Sequence, residues 1–79
     1  MIKAFILVQA EVGKAASVAE HASKLKGVVS SENVAGPYDV IIRAEGESMD
    51  DIGKMVVSQL QVIQGTTRTV TCQVVNLRD

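Results

Sequence analysis

The chain has 79 residues, 47% of them hydrophobic, with eight Lys and Arg against nine Asp and Glu for a formal net charge of -1. That length predicts a single domain over residues 1–79, with no room for a second catalytic or DNA-binding module, and the charge removes the counterion-release drive that nucleic-acid binders use. One Cys and one His exclude an intramolecular disulfide and a Cys/His zinc site within one chain, which leaves self-association as the expected support for so small a core.

Ile2 to Ala10 alternates, with Ile2, Ala4, Ile6, Val8 and Ala10 on one side and Lys3, Phe5, Leu7 and Gln9 on the other, as a strand does. Phe5 and Leu7 make the second side apolar too, so both sheet faces need cover. From Lys14 to Lys26 the spacing turns helical: Ala15, Val18, Ala19, Ala22 and Leu25 form one stripe, with Gly13 as the expected cap and Gly27 as the expected stop. Val28 to Ala35 alternates loosely. Gly36-Pro37 is a turn signal, and Tyr38 to Glu45 alternates again, so a hairpin is predicted.

Ser48 with Asp51 three residues on resembles a capping box, and Ile52, Val56, Leu60 and Ile63 follow at helical spacing, which predicts a helix from Met49 to Val62. Gly65 ends it. Thr66 to Asn76 is rich in Thr and Val, a strand-favouring composition.

The resulting order βαββαβ predicts an α+β, ferredoxin-like fold: a four-stranded antiparallel sheet with two helices on one face. Right-handed crossovers are expected to bring the first and last strands together at the centre. The bare apolar face is the expected contact between copies, in a dimeric α+β barrel-like assembly. No run is long enough to span a membrane, and Ala4 to Val8 is too short for a secretory core, which makes the cytoplasm the default compartment.

Little in the chain points to catalysis. His21 borders the first helix's stripe without a paired nucleophile. Cys72 lies between Val70 and Val74, where a buried, inert thiol is expected. Asp50 and Asp51 diverge by a helical step and suit a helix start. The glycines form no phosphate-binding motif, so no cofactor or metal is called for. Gly36-Pro37-Tyr38-Asp39 has two readings: a plain turn, or a loop whose N–H groups and Asp39 hold the charged ends of a small zwitterion. Thr69 and Thr71, on one face of the last strand, are either surface filler or hydrogen-bonding groups for a carboxylate or ammonium.

Together, Ala4-Phe5-Ile6-Leu7-Val8, Gly27-Val28-Val29, Val34-Ala35-Gly36-Pro37-Tyr38-Asp39-Val40-Ile41-Ile42, Ile63-Gln64-Gly65 and Arg68-Thr69-Val70-Thr71 resemble the effector domain of the Lrp/AsnC transcription regulators. The resemblance spans essentially the whole chain, with Ala35, Gln64 and Thr66 standing where the family often has Thr, Pro and Val. It implies a homodimer joined through its sheets, further assembly into octamers or decamers, and amino-acid effectors held between dimers. It carries the effector loop onto Gly36, Pro37, Tyr38 and Asp39 and the threonine-bearing strand onto Thr69 and Thr71.

The family's helix-turn-helix has no counterpart in these residues. The expectation is therefore a stand-alone, non-catalytic RAM-type amino-acid sensor that acts on transcription by joining a full-length Lrp/AsnC regulator, without binding DNA or membrane itself. Rival expectations are a dimeric α+β barrel enzyme, a ligand-free oligomerisation module and an ACT-like sensor.

Overall fold

The alternation of Ile2, Ala4, Ile6, Val8 and Ala10 forms strand β1, Ile2–Ala10, in a computed structural model that describes residues 1–77. After it come helix α1 (Ala15–Ser23), strands β2 (Val28–Asn33) and β3 (Val40–Gly46), helix α2 (Met49–Met55) continued by a π-helical segment (Val56–Leu60), and strand β4 (Thr66–Gln73). The ferredoxin-like order predicted from the sequence is the order found.

The sheet runs β2-β3-β1-β4, antiparallel throughout. The centre is therefore β1 beside β3, and the expectation of β1 beside β4 at the centre is overturned. Each βα-β crossover steps over one strand, so the two units interleave and each crossover ends on an edge, β2 on one side and β4 on the other. Both edges carry irregularities. The β2–β3 register shifts between Val28 and Ser30, and the β1–β4 register shifts at Gln9/Ala10, where Gln9 faces Arg68 and Ala10 faces Thr66.

The core lies between one sheet face and the helices. Ala4, Ile6 and Val8 of β1 and Val40, Ile42 and Ala44 of β3 pack with Val18, Ala19 and Ala22 of α1 and with Ile52, Val56 and Leu60. Fully burying one such aliphatic side chain stabilises by roughly 1.5–3 kcal/mol. The opposite face carries Leu7, Ile41 and Val70, all half-buried, and Phe5, which is 39% exposed. Arg43 lies on this face with its guanidinium 5.8 Å from the Phe5 ring centroid, a cation–π arrangement.

Helix ends differ from the expected positions for local reasons. Lys14, not Gly13, is the N-cap of α1, while Gly13 takes φ +81° in the preceding turn. The far end stops at Ser23 because Lys24 and Leu25 donate to carbonyls three residues back, His21 O at 3.2 Å and Ala22 O at 3.1 Å, which tightens the chain out of the α-helix. At α2 the expected cap is present: Ser48 Oγ accepts the N–H of Asp51 at 3.1 Å. Asp50 pairs with Lys54 at 3.1 Å on the exposed side. Cys72, expected to be buried, is exposed, because it faces Phe5 on the uncovered side of an edge strand.

Candidate functional site

The Gly36–Asp39 segment closes the β2–β3 hairpin, where Val34 N–H donates to Asp39 O at 3.0 Å. Gly36 and Pro37 are exposed, Tyr38 and Asp39 half-buried. The loop is tied to the end of β1 by three bonds. Asp39 N–H donates to Val8 O at 2.8 Å, Gln9 Nε2 donates to Pro37 O at 2.9 Å, and the Asp39 carboxylate accepts the N–H of Ala10 at 2.8 Å. At least one oxygen of Asp39 is thus committed to the backbone, which leaves the other for the charged end of a zwitterion in the binding reading.

Thr69 and Thr71 face Val8 and Ile6 across the β1–β4 ladder and so point toward the helix side of the sheet, both half-buried. Thr69 Oγ1 accepts a hydrogen bond from Gln61 Nε2 at 2.9 Å. Around it opens a groove of about 410 Å³ lined by Gln61, Thr66, Thr67, Arg68 and Thr69. The Gly36–Asp39 loop is not part of its wall.

The two candidate segments nevertheless share one end of the sheet and one pair of residues. Gln9 and Ala10 hold the loop through the bonds above, and Gln9 O accepts from Thr67 Oγ1 at 3.1 Å on the other side. Next to them, Glu11 N–H donates to Gly65 O at 2.7 Å, which fixes the entry to β4. Sequence reasoning missed Gln9 and Gln61. Gln9 carries one faint signal, as a polar residue following Phe5 and Leu7 on the bare face; Gln61 carries none.

A more apolar groove of about 560 Å³, lined by Met1, Val28, Val29, Ile52 and Met55 among others, lies at the opposite end of the sheet, where β1 begins. It is remote from every candidate residue. His21 is exposed, and its Nδ1 lies 2.8 Å from Ser17 O one turn back, a bond within its own helix. Among the described residues, no three His, Cys, Asp or Glu side chains gather as metal ligands would, and no helix is long and apolar enough to cross a membrane.

The family model of the Lrp/AsnC ligand-binding domain matches residues 3–77. The chain belongs to this family. An uncharacterised HTH-type transcriptional regulator of Pyrococcus furiosus, PF0250, is 35% identical over 54 residues, which are 68% of this chain and 36% of that protein. The chain thus spans about a third of the length of the curated relatives it matches.

Among solved structures, TTHA0845 from Thermus thermophilus superposes on this Lrp/AsnC domain with a TM-score of 0.91 at 23% identity, covering 100% of this chain and 99% of that one. The transcriptional regulator NMB0573 of Neisseria meningitidis, solved as a complex with L-Met, gives 0.81 at 24% identity, covering 99% and 52%.

Proposed function

We propose that this Lrp/AsnC domain is a non-catalytic amino-acid sensor whose effector sits at a seam between copies of the chain, beside Gly36–Asp39 and the start of β4. The observation that carries the reading is the joint anchoring of both segments on Gln9 and Ala10. A ligand that pulls on either segment acts through the same two residues. Contacts that bridge copies stabilise one assembly over another by their differential affinity. The bare face with Phe5, Leu7, Ile41 and Val70 supplies the surface through which copies pair.

Tyr38 and the backbone of Gly36 and Pro37 line the ligand in this reading, Asp39 holds the loop in place and offers its second oxygen to an ammonium, and Thr69 and Thr71 complete the polar contacts. The L-Met bound by the Neisseria relative supports an amino acid as the ligand class. The matched relatives named as HTH-type regulators support a role in transcription, exerted in the cytoplasm by co-assembly with a full-length regulator that supplies the DNA contacts.

Calorimetric titration with the twenty common amino acids, with sedimentation velocity on the same samples, tests the proposal. Saturable binding by at least one amino acid, with a shift in assembly size, is the expected result. A featureless panel with unchanged sedimentation overturns it and leaves a bare oligomerisation module.

A further inference from the structure

Helix α2 and its π-helical continuation bury Ile52, Val56 and Leu60 toward the sheet and turn a second face to solvent. A shallow groove of about 640 Å³ runs along that outer face, lined by Met49, Asp50, Gly53, Lys54, Val57 and Ser58. Val57 is 63% exposed, and Met49 and Gly53 are half-buried. Met49, Gly53 and Val57 stand four residues apart, so they form one stripe along the helix.

Gly53 is the informative member of the stripe. It takes no positive φ, and an added Cβ would meet nothing within 4 Å, so nothing in its own chain calls for the missing side chain. Glycine in the middle of a helix is less favourable than alanine. Between Met49 and Val57 it leaves a notch, and at a notch of that kind a second helix axis can approach closely.

The charges beside the notch say which helix fits. Asp50 and Lys54 flank it, both largely exposed and 3.1 Å apart in the same chain. A parallel copy of α2 would set Asp50 beside the partner's Asp50 and Lys54 beside the partner's Lys54. An antiparallel copy crossing at Gly53 brings Met49 level with the partner's Val57. It also places Asp50 within two residues, about 3 Å along the axis, of the partner's Lys54. Apolar then meets apolar and acid meets base, each of them twice because the contact is two-fold.

We propose that the outer face of α2 is a second homotypic interface, in which two copies cross antiparallel at Gly53, with Met49 and Val57 in contact and Asp50 and Lys54 paired between chains. The helices lie between this surface and the bare sheet face, so pairing here adds to pairing through the sheet and does not compete with it. One two-fold contact on each side of the molecule lets pairs join into a larger assembly. The contact forms without a ligand and so stands apart from the sensor reading.

Charge reversal, followed by sedimentation velocity, is the test. Asp50→Lys sets lysine against lysine at both ends of the contact, and Lys54→Asp sets aspartate against aspartate. Each variant alone is expected to weaken this association step about tenfold or more and to sediment as a smaller species than the wild type. Equimolar mixing of the two restores opposite charges at both ends, and the wild-type sedimentation coefficient is expected to return. An unfolded variant could not produce that recovery.

Gly53→Gln tests the notch independently, because glutamine is a better helix former than glycine but fills the gap. Its helical circular dichroism should hold or rise while the larger species is lost. Single charge variants that keep the wild-type size, a mixture that stays small, or a Gly53→Gln chain that assembles as the wild type does, overturns the proposal.

Discussion

The carboxylate of Asp39 accepts the backbone N–H of Ala10 at 2.8 Å, a bond between residues 29 apart in the chain. Ala10 sits where the β1–β4 register slips, so a side chain supplies the acceptor at a point where the ladder is irregular. Replacing Asp39 with Ala strands that part-buried N–H and is expected to destabilise the fold by about 1–3 kcal/mol. Asp39→Asn retains a neutral acceptor and should lose less. Urea denaturation midpoints are expected in the order wild type, Asp39→Asn, Asp39→Ala.

Leu7 lies between Ile41 and Val70 on the uncovered sheet face. If copies pair through that face, Leu7→Glu places a charge in the contact twice, once from each copy. The dimerisation constant is expected to weaken by at least about a hundredfold, read by sedimentation equilibrium. Cys72, exposed on the same face opposite Phe5, should react slowly with a thiol reagent in the wild-type assembly and rapidly in Leu7→Glu.

Two glycines should respond to alanine with opposite signs. At Gly65, φ is +101° and an added Cβ would lie 2.7 Å from Lys14 Cβ, so Gly65→Ala is both strained and crowded. A loss of about 2 kcal/mol is expected in chemical denaturation. Gly53 lies inside α2 with nothing within 4 Å of the same added atom. Gly53→Ala should stabilise by roughly 0.5–1 kcal/mol in the same experiment.

Ser48 is the cap of a helix whose first turn carries two aspartates, Asp50 and Asp51. Ser48→Ala removes the acceptor for Asp51 N–H and is expected to lower stability by about 1 kcal/mol. Ser48→Asp keeps an acceptor but adds a third carboxylate, so it should fall between wild type and Ser48→Ala in thermal unfolding.

How much the sequence discloses depends on whether a feature is periodic. β1 is readable to the residue, because five aliphatics at alternate positions leave one face for the core. The place of β4 in the sheet is not readable by the same means, since pairing order depends on which strand each crossover skips. The π turn hides as well: Ile52, Val56, Leu60 and Ile63 keep their helical spacing whether or not one extra residue enters the hydrogen-bond ladder. Cys72 shows a similar limit, because alternation assigns it a face without saying whether that face is covered.

Within the candidate site, Gly36-Pro37 identifies the turn through backbone chemistry alone. Asp39's bond to Ala10 involves a partner far away in sequence, so it leaves no local trace. Gln61 is silent in the same way and Gln9 nearly so, its one trace being a polar residue after Phe5 and Leu7 on the bare face. Their roles arise from the strand slip and the π turn that aim them, and irregularities of that kind carry no periodic signature.

The two rims of the sheet are not equivalent, and this bears on sideways growth. The outer rim of β2 is spoiled early by its slip between Val28 and Ser30, whereas β4 runs straight from Thr69 to Gln73 once past its own slip. A neighbouring strand has an even row of amides to zip onto along β4 and a broken one along β2. Were copies to add strands sideways, the β4 rim would be the one to accept a neighbour and the β2 rim the one to end the growth.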